Sequence, residues 1–307
     1  MANIAALDDV KHTRVGRVVP GGRAFRTNFV VPPEGDLTAP HGYLAENTPG
    51  RLLRTHFHEL DQFQIFLNGG GTFGRHNIVP ITVHFSRAFT PYGPIIAGEN
   101  GLDFLTLRQR RDLGAYYLPD KRAVLDQMPN RVPWQVSQTL TFTESADAVT
   151  VSTLDQIMDD KGLAAYSIHM RPNARYEAVD PATGSGQYVV VFKGSLIFEG
   201  KELKSLVIGY IASTEIPLQL VAGSEGLQAI ILNFPRREKL LRKSVEVSDA
   251  THFKVWQCTL CSFVYDEAAG LPDDGIAAGT RWEDVPETWT CPDCSTSKND
   301  FQMIVVA

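Results

Sequence analysis

A segment that recurs at one fixed offset constrains a chain strongly, because each copy has to satisfy the same fold. Residues 62–69 read QFQIFLNG and residues 187–194 read QYVVVFKG, an offset of 125. The same offset carries Phe73 onto Phe198, Ala97-Gly98 onto Ala222-Gly223 and Gly101-Leu102 onto Gly226-Leu227 without an insertion. One offset held over about 45 residues marks a repeated structural unit. The units are built of short runs of β-branched, aromatic and leucine residues (FQIFL, ITVHF, YVVVF, SLIF, SLVIGYIA, QAIILNF) divided by glycine-bearing turns. That pattern predicts an all-β fold, a barrel or jelly roll present twice. Segments 118–128 and 152–162 read as short connecting helices. The expected boundaries are 1–118 for the first unit, 119–162 for the connection, 163–243 for the second unit and 252–307 for a small C-terminal domain.

The first copy carries His56 and His58, two residues apart and therefore on one face of a strand. A turn through Glu59, Leu60 and Asp61 brings Gln62 back toward them. Two imidazoles and an oxygen donor can meet one divalent metal there. The stretch Gly50-x5-His56-x-His58-x3-Gln62-x6-Gly69 resembles the first cupin motif, with Gln62 in place of glutamate. Pro91-Tyr92-Gly93-x2-Ile96-x3-Asn100 resembles the second, with Ile96 in place of histidine. The resemblance covers roughly residues 14–118 and 163–235 as a bicupin, a pair of double-stranded β-helix barrels. It implies a metal (Fe, Mn, Ni or Zn) held by His56, His58 and Gln62. The alternative is a barrel whose histidines line a small-molecule site without metal. His84 is a candidate substitute ligand, although strand pairing sets it on the face opposite Ile96. Glu59 or Asp61 could supply a carboxylate if the turn rearranged. In the second copy the offset places Pro181 and Thr183 where the histidines were. No metal is expected there; His169 reads as a core residue, and the copy reads as support for the first barrel or as a homodimer surface.

All four cysteines lie near the C-terminus as two C-x-x-C pairs, Cys258/Cys261 and Cys291/Cys294, with 29 residues between the pairs. Two such pairs close a tetrahedral S₄ site. Two disulfides or a structural zinc ribbon are the alternatives. A domain of about 50 residues is too small to rely on an apolar core alone, so metal binding would supply much of its folding free energy. The surrounding residues Tyr265-Asp266, Gly275, Gly279-Thr280, Trp289-Thr290-Cys291-Pro292, Lys298 and Phe301, with Trp256, Phe263 and Trp282, resemble rubredoxin from Lys254 to about Phe301. The resemblance implies a mononuclear Fe(Cys)₄ centre that cycles between ferric and ferrous iron. Ser262 and Ser295 stand where rubredoxins usually have glycine, which bears on the reduction potential.

The net charge of −6 is concentrated in that domain. Residues 251–307 hold three basic and nine acidic side chains, leaving 26 of each sign before them. An acidic module repels nucleic acid and anionic membrane and suits a partner with a basic patch, such as a reductase. Five basic residues follow the last β run at Arg236, Arg237, Lys239, Arg242 and Lys243, a candidate docking segment ahead of a linker at 244–251. The run Arg108-Gln109-Arg110-Arg111 reads as a solvated face. No apolar stretch reaches the roughly 18 residues of a membrane span and no secretory signal is visible, so the expected location is the cytoplasm. Two functions remain from sequence: a non-haem metal-dependent dioxygenase or other oxidoreductase served by a one-electron centre, or a non-catalytic electron carrier or sensor whose cupins bind a ligand or partner.

Overall fold

A computed structural model describes residues 3–19, 22–128, 131–142, 146–204, 206–236, 253–258, 263–292 and 297–304. The two copies form two antiparallel sheets with the same internal order. In the first, strands run Thr82–Ser86, Gln62–Phe73, Ile95–Arg108, His41–Asn47; in the second they run Val207–Ile211, Gln187–Phe198, Gln219–Asn233, Ala164–Met170. Glycine fixes the same crossing in each. Gly69 and Gly194 have φ near +75°, and a Cβ on either would lie about 2 Å from the carbonyl oxygen of Gly101 or Gly226. No side chain fits there, which accounts for glycine at both ends of the repeat.

The outer strands are exchanged. Gln135–Thr139, from the connection, pairs with Thr82–Ser86 of the first sheet. In the second sheet the equivalent place is taken by Asn3–Ala6, paired with Val207–Ile211. The connection contains a short helix at Arg122–Asp126, within the segment expected to be helical. Segment 152–162 is not helical: Val149–Met158 is a strand paired with Ala164–Met170. Its buried Leu154 and Ile157 are three apart, as on a helix, but an irregularity in strand register between Thr153 and Met158 produces that spacing.

Alternate residues of the central strands serve two cores. Phe63, Ile65, Phe85, Leu105 and Leu107 pack with Tyr188, Val190, Ile208, Ile230, Leu232 and Phe234 in one apolar layer shared by both copies. The other face of each strand lines its own barrel. Burial on both faces explains the nearly continuous apolar runs. The C-terminal domain is a three-stranded sheet of Val255–Cys258, Val264–Asp266 and Phe301–Ile304 under an aromatic cluster. Among the described residues no helix is long and apolar enough to cross a membrane.

Candidate functional site

The first barrel combines an apolar cluster of Phe66, Ile95, Leu102 and Phe104 with a set of buried polar side chains. Strand register sets Gln64 beside His84 and Thr106, Gln62 beside Ser86, and Arg108 beside His41. His56 and His58 enter from a short strand covered by Tyr116–Tyr117. Both imidazoles are buried, with ring centroids 5.2 Å apart. The His56 ring also lies 4.5 Å from that of Tyr92, which packs against His84 at 5.7 Å. Gln62 Nε2 donates to the Tyr92 hydroxyl at 2.5 Å. His56, His58 and Gln62 are thus brought together, and His84 faces inward near them. Ile96 does not: it is 40 % exposed and outside the cluster. Asp61 and Glu59 are engaged elsewhere, with the Ala88 N–H at 2.8 Å and the Tyr116 hydroxyl at 3.1 Å.

The residue at the centre is Arg108. Far from lying on a solvated face, it is 4 % exposed, because Phe104, Thr106 and Arg108 continue the inward alternation of their strand. Its Nε and Nη2 donate to Gln62 Oε1 at 3.0 and 2.7 Å, and Nη2 lies 3.2 Å from His58 Nε2. A guanidinium only donates, so His58 Nε2 accepts and its proton sits on Nδ1. That Nδ1 faces Asp112 Oδ2 at 2.7 Å. Asp112 also lies 3.5 Å from Arg108 Nη1. Burial alone would raise the Asp112 pKa, but Arg108 and His58 hold it well below the usual carboxylate range. Burial pulls both histidines down, His56 to about 3, so both are neutral near pH 7. His56 Nδ1 contacts the Arg54 carbonyl at 2.7 Å. Arg108, Asp112 and Tyr92 escaped recognition from sequence. The available signal was the strand alternation running on to position 108.

In the C-terminal domain Cys258 and Cys291 are 0 % and 1 % exposed, enclosed by Tyr265, Ile276, Trp282, Val285 and Phe301. The Cys258 N–H donates to the Phe263 carbonyl at 2.8 Å. Cys261 and Cys294, with Ser262 and Ser295, lie outside the described residues, as do Arg237, Lys239, Arg242, Lys243 and the linker 244–251. Beneath the sheet, Glu267 is fully buried and accepts from the Lys254 and Trp282 N–H groups, the Trp256 indole and Arg281. Burial works against its charge, yet these donors bring its pKa down to about 2. Residues 255–301 match the family model described as Rubredoxin. Rubredoxin-2 of Pseudomonas aeruginosa is 64 % identical over 52 residues, which are 17 % of this chain and 94 % of that protein.

The chain belongs to the rubredoxin family. The rubredoxin domain is its iron-binding, electron-transfer module, and two buried cysteines in an aromatic shell suit thiolate ligation of iron. The residues ahead of the rubredoxin domain have cupin neighbours in fold. A candidate dioxygenase of Nostoc punctiforme superposes with a TM-score of 0.52 at 10 % identity, covering 80 % of this chain and 88 % of that one. Oxalate decarboxylase of Lactobacillus farciminis gives 0.50 at 12 %, covering 78 % and 88 %. At such identities the likeness is one of fold, and the chain is a bicupin joined to a rubredoxin domain.

The first barrel fits a metal poorly. Among the described residues no group of three or more His, Cys, Asp or Glu converges as a metal site. Two of the three expected donor atoms, Gln62 Oε1 and His58 Nε2, already accept from Arg108. A divalent cation placed among them would also face that guanidinium, and like charges in a buried site repel strongly.

Proposed function

We propose that this protein is a one-electron carrier, with iron held by Cys258, Cys261, Cys291 and Cys294, whose first barrel is a ligand-binding module. The rubredoxin match supports the first part. The hydrogen bonds of Arg108 to Gln62 and His58 carry the second, because they engage the donors a metal would need. A redox partner, such as a reductase, belongs to this function. So does a reducing cytoplasm, which keeps the thiols available for iron.

A second reading, a metal-dependent cupin oxidoreductase served by the rubredoxin domain, draws on one observation. Asp112 and the Arg54 carbonyl engage the Nδ1 atoms of His58 and His56, leaving each Nε2 to face inward as a metal ligand would. It requires Arg108 to withdraw.

Metal analysis of the full chain separates the two. The carrier is expected to hold about one iron per chain, to be red when oxidised and to bleach on reduction. A second equivalent of iron, manganese, nickel or zinc, lost from His56→Ala while the colour remains, would establish the oxidoreductase. A colourless chain holding only zinc after growth in ample iron would remove electron transfer altogether.

A further inference from the structure

Beside the histidine cluster, the first barrel contains a second group of polar residues that the electron carrier does not use. We propose that it binds a small carboxylate at the Nδ1–H of His41, in the field of Arg26, Arg108 and Arg111. This rests on the first barrel being a ligand-binding module, and adds the class of ligand and the residues that hold it.

Arg26 Nη2 lies 2.5 Å from His41 Nε2. The guanidinium can only donate, so His41 Nε2 accepts and the ring proton is on Nδ1. That Nδ1 is buried and has no hydrogen-bond partner among the described residues, on a side chain that is 6 % exposed. An orphaned buried donor is costly and calls for an acceptor.

The surrounding charge selects the acceptor. Arg26 donates from Nε to Asn28 Oδ1 at 2.9 Å, and its guanidinium stands 4.1 Å from the centre of the Tyr43 ring. The groups acting on its charge are Tyr43 and three further cations, Arg108, Arg17 and Arg111. Burial pulls its pKa down to about 10, the mark of a cation lacking a counter-charge. Among the charges acting on His41, Arg26, Arg108 and Arg111 oppose its protonation and Asp112 favours it. Asp112 is engaged by Arg108 and His58, and Arg111 is offset by Glu34. Burial would raise the Tyr43 phenol, yet Arg108 and Arg26 together bring it below its ordinary value. Arg17, Arg26, Arg108 and Arg111 against Asp112 and Glu34 leave the surroundings positive. An anion offsets that excess. A carboxylate brings one charge and acceptor oxygens for the His41 N–H and for the guanidinium groups.

The second barrel serves as an internal control. Its residues at the places of His41 and Arg108, read from the matching strand pairs, are Ala164 and Asn233, neither of which is cationic.

The test is a calorimetric titration of the iron-loaded full chain with acetate and with benzoate, and in parallel with inorganic phosphate, at one ionic strength near pH 7. One carboxylate per chain is expected. Arg26→Met and His41→Phe should each weaken binding by at least about tenfold, while the exposed Arg175→Met in the second copy leaves it unchanged. His41→Gln keeps an N–H donor and Arg26→Lys keeps the charge, so both should retain binding where the harsher variants do not; they also carry the test if those variants fail to fold. Absence of carboxylate binding, preference for phosphate, or binding indifferent to both positions overturns the proposal. Binding that disappears on dialysis against a chelator, with loss of a second metal, overturns the ligand-module reading beneath it, so the two failures are distinguishable.

Discussion

The two barrels share strand order, register and glycine crossings, yet the first buries more polar side chains than the second. Where the first has Gln64, His84 and Ser86, the second has Val189, Gly209 and Ile211 at the same offset. Thr106 beside Tyr43 is matched by Ile231 beside Tyr166. The second interior is an aliphatic cluster that includes Ile168, Met170, Val189, Val191, Ala229 and Ile231. Backbone geometry is therefore independent of what the barrel holds. The second copy has a mostly aliphatic core, with buried Gln187 and Asn233 as exceptions; the first carries more buried polar groups, whose cost is only partly met by their mutual hydrogen bonds.

Acid should break this symmetry most strongly. Burial brings the pKa of His56 and of His84 down to about 3, whereas an imidazole in the unfolded chain titrates near 6.5. Below about pH 6.5 the unfolded chain takes up protons that the folded barrel refuses. The stability present above that pH is lost as pH falls toward 3, at about 1.4 kcal/mol per pH unit for each imidazole. Asp112, with its depressed pKa, adds a further loss below about pH 4. Hydrogen exchange corrected for intrinsic pH dependence should therefore show Gln62–Phe73 losing protection at higher pH than Gln187–Phe198. Simultaneous loss would mean that the shared apolar layer makes both barrels one cooperative unit.

Exchanging interior residues sharpens the comparison. Val189→Gln places an amide in the aliphatic cluster and should cost about 2–4 kcal/mol in urea unfolding. The reverse change, Gln64→Val, should stay within about 1 kcal/mol of neutral, because Gln64 Oε1 is already buried without a partner. Equal losses would show that the first barrel needs its polar lining to fold. A modest effect is expected from Tyr92→Phe, which removes the hydroxyl that accepts from Gln62. It should cost about 1 kcal/mol in the same measurement, with the second barrel's exchange unchanged.

The repeat was legible because strands buried on both faces impose apolar runs, and tight crossings impose glycine. His56, His58 and Gln62 were legible because a two-residue spacing survives any change of context. Arg108 was not: three arginines in four residues suggest solvent when read as composition. In fact the strand turns Arg108 inward and Gln109 outward, to the Ser185 carbonyl of the second copy at 2.5 Å. Its partners are distant in sequence, Gln62 by 46 residues and His58 by 50. The strand at Val149–Met158 was hidden for a local reason, since its irregular register imitates the three-residue spacing of a helix.

The exchanged strand Asn3–Ala6 has a consequence for the order in which the molecule is made. Ile4 pairs with Gly209, and a Cβ there would sit 2.5 Å from an Ile4 side-chain carbon. A ribosome must add about 200 residues before that partner exists, roughly 10–40 s at ordinary elongation rates. The strand that completes the first sheet, Gln135–Thr139, emerges well before then. The nascent chain can thus close its polar barrel early, while its first strand waits for the apolar one. Slowing translation between residues 140 and 207 lengthens the time that this strand remains available to chaperones, proteases or a neighbouring nascent chain.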